Sequence, residues 1–345
     1  MASPIIKPHS KRRFVLYGNY KTKGGLPLGK TDTCTKVYIS NPRIFADAFN
    51  YYFFHGKQVV KPEELTVQDV TEISLPYEGE KGLGVPIQKF RDVMKLWTVM
   101  TSSDATYMLL GIENQKNVHY AMPIRNMLYD ALNYASQVED MGKIHRELKD
   151  ANSDEFLSGF KKTDKVKPVF TLVIYWGTKE WDGPRSLYEM LDVKEDMREF
   201  IEEYANDYKL HIIVPTEIEN FEQFATDLGH CFRYIRSSGQ KEQLKKLIEE
   251  YGDIYSDFDK ISGYLLESVT NTKLPKSVQK EDSVNMCKAI EEMIEEANEI
   301  VLKENALETA RNFLVNGASL ELVVKSLPTL TADEITAIYK EVCGS

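Results

Sequence analysis

Leu109-Leu110-Gly111-Ile112-Glu113-Asn114-Gln115 is the stretch whose reading decides the fold. A run that is apolar through Ile112 abruptly presents a carboxylate and, two residues later, a carboxamide. Side chains alternate across a strand, so Glu113 and Gln115 share one face. Upstream, Thr101-Ser102-Ser103-Asp104 is turn-rich and residues 85–97 are β-friendly, which predicts a hairpin. With the turn symmetric about Ser102 and Ser103, positions whose numbers sum to 205 oppose each other, and Asp92 faces Glu113. A bulge would break that register and bring Asp104 forward as the second carboxylate.

Directly opposed residues of an antiparallel pair have β-carbons about 4.5–5.5 Å apart, and two carboxylates that close repel unless a cation lies between them. Oxygen-only ligands suit Mg2+ or Mn2+, which acidify a bound water and offset charge at a scissile phosphate. Acidic residues at strand ends are also commonly solvated or paired with a base, and Arg91 adjoins Asp92.

Working outward, residues 123–141 carry an apolar stripe at helical spacing (Ile124, Met127, Leu128, Ala131, Leu132, Ala135, Val138) with Pro123 at the start, which predicts a helix against the hairpin. Residues 168–176 and 210–214 are short apolar runs that read as core strands, and a helix over 187–206 would make the crossover between them parallel. Before the hairpin, Asn41 and Pro42 start a helix over residues 42–54 that Gly56 ends. The fold class is therefore α/β, a mixed sheet flanked by helices. After Pro215 the pattern is helical almost throughout, over 221–235, 240–251, 256–266 and 280–315, with Gly317 as a cap. Two short helices, 319–327 and 331–342, have the size of a helix-turn-helix, although two short amphipathic helices are more often a small packing or oligomerisation unit. The divisions are a basic leader (1–30), a core (31–218), a helical region (219–316) and the C-terminal unit (317–345).

Lys7, Lys11, Arg12, Arg13, Lys21, Lys23 and Lys30 give the leader its charge, whereas residues 281–308 are acidic. A net charge of −10 over 345 residues counts against a protein that coats nucleic acid, so any DNA contact is local. Cys34, Cys231, Cys287 and Cys343 are far apart with no CxxC pair, which argues against zinc and disulfides and for a reducing, cytoplasmic setting. No stretch has the roughly 20 apolar residues of a membrane span.

At these residues the chain resembles the Rpn-type recombination-promoting nucleases, often labelled transposases, within the PD-(D/E)xK superfamily. The likeness lies in Ile44-Phe-Ala-Asp-Ala-Phe-Asn50, Arg91-Asp92, Gly111-Ile-Glu-Asn-Gln115, Met122-Pro-Ile-Arg125 with Tyr129-Asp130 and Tyr134, and residues 168–176 with Trp181-Asp-Gly-Pro184, in that order. The resemblance implies a restriction-endonuclease-like core, with Asp92 and Glu113 as ligands of Mg2+ or Mn2+. It puts Gln115 where most of the superfamily has lysine, and glutamine offers hydrogen bonds without positive charge. Asp47 falls where related folds often carry a further acidic residue near the metal, and reads equally well as a solvated helix residue. Arg125, Tyr129 and Tyr134 would contact the DNA backbone, where Arg and Tyr are common donors, although Tyr129 also suits packing.

The implied activity is DNA phosphodiester hydrolysis by a metal-activated water, yielding ends that promote recombination. The alternative is a nuclease-fold protein with little or no turnover that binds DNA or assembles, including as a homo-oligomer. Transposition by a triad of separated carboxylates on a ribonuclease-H-like sheet does not suit so close a pair.

Overall fold

The structure is a computed structural model that describes residues 30–68, 71–74, 87–90, 92–100, 105–149, 153–270 and 272–343. The basic leader, Arg91 and the turn at 101–104, including Asp104, lie outside the described residues. The chain opens with α1 (Lys30–Ser40) and α2 (Pro42–Phe54), then β1 (Leu65–Val67), β2 (Thr71–Ser74), β3 (Ile87–Phe90), β4 (Val93–Met100) and β5 (Ala105–Gln115). There follow α3 (Met122–Leu148), α4 (Ser153–Ser158), β6 (Val169–Tyr175), α5 (Arg198–Tyr204) and β7 (His211–Ile213). The remainder is α6 (Leu228–Ser237), α7 (Lys241–Tyr255), β8 (Phe258–Asp259), α8 (Lys260–Val269), β9 (Ser283–Val284), α9 (Met286–Val315), α10 (Leu320–Ser326) and α11 (Ala332–Cys343).

The main sheet has five strands in the order β1-β4-β5-β6-β7. β4 is antiparallel to both β1 and β5, and β5, β6 and β7 run parallel, so the sheet is mixed. The β4–β5 register runs from Val93↔Ile112 to Met100↔Ala105, and every pair sums to 205, as the sequence predicts. The expected single strand over 85–97 is instead two: β3 pairs with β2 in a separate ribbon, and the chain bends at Asp92 before β4 begins.

Alternation gives the sheet two covered faces. Val93, Leu110, Ile112, Leu172 and Ile174 pack with Phe45 and Phe49 of α2 and with α6, α7, α8 and the first half of α9. The other face lies under α3, where Met94, Leu109 and Val169 meet Tyr134, and Val173 meets Met122. α2 begins as expected: Asn41 Oδ1 accepts the Arg43 amide at 3.0 Å, and the helix ends as His55 and Gly56 turn to φ 52° and 82°.

The helices after residue 218 share the sheet's own hydrophobic cluster up to Ile294, and so complete the core. Beyond it Ala306, Ala310 and Leu314 of α9 make a second small core with Val323, Leu330, Ile335 and Ile338. α10 and α11 thus form a packing unit on the end of α9. Thr331 and Glu334 cap α11 reciprocally, and Lys303, with the Thr331 bonds, holds the Glu334 carboxyl down to about 2.

The helix expected over 187–206 is reduced to α5 and two short 3-10 turns at Tyr188–Met190 and Glu195–Met197. A helix this short depends on burying an apolar stripe, and here Phe200 and Tyr204 face outward, 52% and 68% exposed. No helix among the described residues is long and apolar enough to cross a membrane.

Candidate active site

Asp92 sits at the bend that precedes β4, one step beyond the last paired rung, Val93↔Ile112. Its Oδ2 accepts the backbone N–H of Asn114 at 2.7 Å, so the carboxylate stitches the two strands together where the ladder stops. The Asn114 side chain points through the sheet: its Oδ1 accepts Trp176 Nε1–H at 2.8 Å within the main core. Glu113 therefore projects to the α3 side, and only 1% of its side chain is exposed.

α3 supplies the counter-charge. Arg125 Nη2 lies 3.3 Å from Glu113 Oε2, and Arg125 Nε donates to the Tyr129 hydroxyl at 3.0 Å. The two residues are one helical turn apart and share a face, as their spacing predicts. Burial pushes the Asp92 carboxyl above the usual range, opposed by the Asn114 amide, by Lys36 of α1 and by Arg125. Burial also raises the Tyr129 phenol, the negative charge of Glu113 adds to this, and Arg125 offsets part of it. Arg125 lies in the field of both Glu113 and Asp92, and Lys36 adds positive charge at Asp92.

Gln115 follows on the same face as Glu113, half-buried at the end of β5, where its carbonyl accepts the Trp176 amide at 2.7 Å. Among the described residues, no group of three or more His, Cys, Asp or Glu forms a ready metal cage. Two carboxylates and a carboxamide fit a hard divalent ion of the Mg2+ type, which takes few protein ligands and completes its shell with water and substrate oxygens.

The structure does not bring every expected residue to this cluster. Asp47 is buried in α2, on the opposite face of the sheet, and its carboxylate accepts from Ala225 N, Thr226 N and Thr226 Oγ1 at 2.9, 2.9 and 2.5 Å. It is neither a solvated helix residue nor a neighbour of Glu113; it pins α2 to the start of α6. The Tyr134 hydroxyl accepts the Val169 amide at 3.0 Å and its ring packs on Met94, Leu109 and Val169, so its place is in the α3–sheet seam and not at a DNA-facing surface. Tyr129 is 3% exposed and belongs to the interior of the site. Arg125, whose side chain is 35% exposed, is the expected DNA-contacting residue that remains open to a ligand.

Two residues of the site carry no mark in the sequence reading. Asn114 stands inside the motif, and strand alternation would have sent it to the other face. Lys36 lies in α1, where no apolar stripe announces a helix. No protein-family model, curated protein or solved structure matches the chain.

Proposed function

We propose that the chain is a metal-dependent DNA endonuclease with a restriction-endonuclease-like core, acting through Asp92, Glu113 and Gln115. The observation that carries this reading is the β4–β5 register, which ends at Val93↔Ile112 and leaves Asp92 at the Glu113–Asn114 end of β5, where its carboxylate accepts the Asn114 amide. The layout supports it further: the hairpin bearing both carboxylates is followed by α3, and the chain then returns as β6, parallel to β5.

Asp92 and Glu113 would hold Mg2+ or Mn2+, which when bound acidifies water and offsets charge at phosphorus. The chain's own residues do the rest. Arg125, braced by Tyr129, holds Glu113 in place and is open enough to turn its guanidinium toward a phosphate. The Gln115 carboxamide can donate to a phosphate oxygen or accept from the attacking water, orienting it without adding charge. The Asn114 amide fixes Asp92 and favours its ionised form.

Purified protein incubated with supercoiled plasmid and Mg2+ or Mn2+ is expected to cut it, and Asp92→Ala and Glu113→Ala to abolish the cut. Equal cleavage by either variant would show that the site lies elsewhere. The Glu113–Arg125 ion pair favours a second reading, in which arginine stands where the metal would and the protein binds DNA or assembles without turnover. A gel shift with no cleavage in either metal is the signature of that state.

A further inference from the structure

We propose that Lys36 of α1 is the phosphate-binding cation of this site, supplying the positive charge that Gln115 lacks; the assignment of the phosphate to DNA rests on the endonuclease reading above. The geometry comes from the two anchors of α1. At its start Thr31 Oγ1 donates to the Ser268 carbonyl at 2.8 Å, and Lys116, the residue just after β5, donates Nζ to that same carbonyl at 3.0 Å. At its end the Ser40 carbonyl accepts Lys95 Nζ at 3.0 Å, and Lys95 is a β4 residue opposite Leu110. α1 is therefore laid from the mouth of the hairpin back along β4, and the Asp92 rung falls between the two anchor points. Lys36 is the basic residue between them.

The surrounding cations already serve partners within the fold, with Arg125 alone keeping an exposed edge for a ligand. Arg125 is held by Glu113 and Tyr129, Lys95 is buried and spent on Ser40, and Lys116 is spent on Ser268. Lys36 is half-exposed, and among the described residues its ammonium has no hydrogen bond or ion pair. It is nonetheless near enough to Asp92 to favour that carboxylate's charged form. An ammonium on a flexible stem with no partner among the described residues, beside the Asp92 carboxylate at the open end of the hairpin, is the group such a ligand needs: a mobile point charge.

The test is the salt dependence of DNA binding, which does not require cleavage. Fluorescence anisotropy with a labelled duplex in EDTA, over a series of salt concentrations, gives the slope of log Kobs against log salt. Each phosphate contact contributes about 0.9 to its magnitude. Lys36→Gln is expected to lower the slope by about that amount and Lys36→Arg to keep it; a role confined to folding would not move it. Where glutamine disturbs the fold, Lys36→Met, which keeps the stem's packing, repeats the measurement. Cleavage by Lys36→Gln is expected to fall roughly 100-fold. An unchanged slope beside normal wild-type cleavage overturns the role of Lys36 and leaves the endonuclease reading standing. A lowered slope beside a wild-type protein that never cuts overturns the endonuclease reading and leaves Lys36 as a phosphate contact. Wild-type protein with no salt-dependent affinity for the duplex overturns both.

Discussion

Replacing Asp47 separates a structural carboxylate from a chemical one. Its three hydrogen bonds reach the Ala225–Thr226 turn, and Thr226 Oγ1 in turn accepts the Leu228 amide at the first residue of α6. Bonds to a charged acceptor contribute about 1.5–3 kcal/mol each, so the gross loss in Asp47→Ala is roughly 4.5–9 kcal/mol. Two effects reduce it. Burial raises the Asp47 carboxyl despite those bonds, so holding it ionised already costs the folded state something. Ala225 is also exposed, so water can take over its freed amide. The net loss is then about 2–4 kcal/mol, a large share of the ~5–15 kcal/mol that keeps a protein folded. For a chain of 345 residues, at roughly 1.5 °C per kcal/mol, the melting point should fall by about 3–6 °C. Differential scanning calorimetry of Asp47→Ala, Thr226→Val and the double variant measures both the loss and its shared part. The wild-type cleavage rate per folded molecule should survive at low temperature. An unchanged melting point with cleavage abolished would refute this account and return Asp47 to the chemistry.

Other perturbations have comparably direct outcomes. Asp92→Asn is expected to be more stable than wild type at neutral pH: the carboxyl is raised, so its ionisation weakens the fold above that point, and the gap should close as pH falls toward the unfolded value near ~4; urea midpoints across pH test the sign. Arg125→Met leaves the buried Glu113 carboxylate without its guanidinium, and because that arginine is partly open the loss should be about 1–2 kcal/mol, short of the ~3–5 kcal/mol of a fully buried pair. Adding Glu113→Gln to it should restore the urea midpoint. Tyr134→Phe orphans the Val169 amide and should cost about 1 kcal/mol while leaving duplex affinity unchanged. Asn126 is fully buried and, among the described residues, both ends of its amide lack hydrogen bonds, so Asn126→Leu should match or exceed wild-type stability in a thermal melt.

The hairpin was legible because a strand pair has one degree of freedom, its register, and a turn-rich tetrapeptide between two apolar runs fixes it. The same holds for Arg125 and Tyr129, since four residues on a helix is a face. What the sequence left open depends on partners distant along the chain. The three bonds of Asp47 go to residues almost 180 positions away, and no local spacing distinguishes them from bonds to a metal. Tyr134 looked like a surface donor because helical periodicity alone does not say which polar group lies over the N-terminal edge of β6. The segment over 187–206 has helical composition, but composition does not reveal that Phe200 and Tyr204 stay exposed. α1 is the converse: a weak helix by pattern, fixed by Ser268 and Lys95 from outside.

The bond from the Asn114 amide to Asp92 makes one backbone proton a resident reporter of the site. In a 15N–1H correlation spectrum that resonance should shift downfield while Asp92 is ionised and move back as acid protonates it, tracing a titration for a carboxylate no optical probe sees. A divalent ion drawing the same oxygen away would displace the peak in the other dimension of the experiment, metal concentration, before any strand is cut. Because Asn114 also accepts from Trp176, the indole N–H on the far side of the sheet offers a second, independent peak, and a perturbation that moves both has crossed the sheet through a single residue.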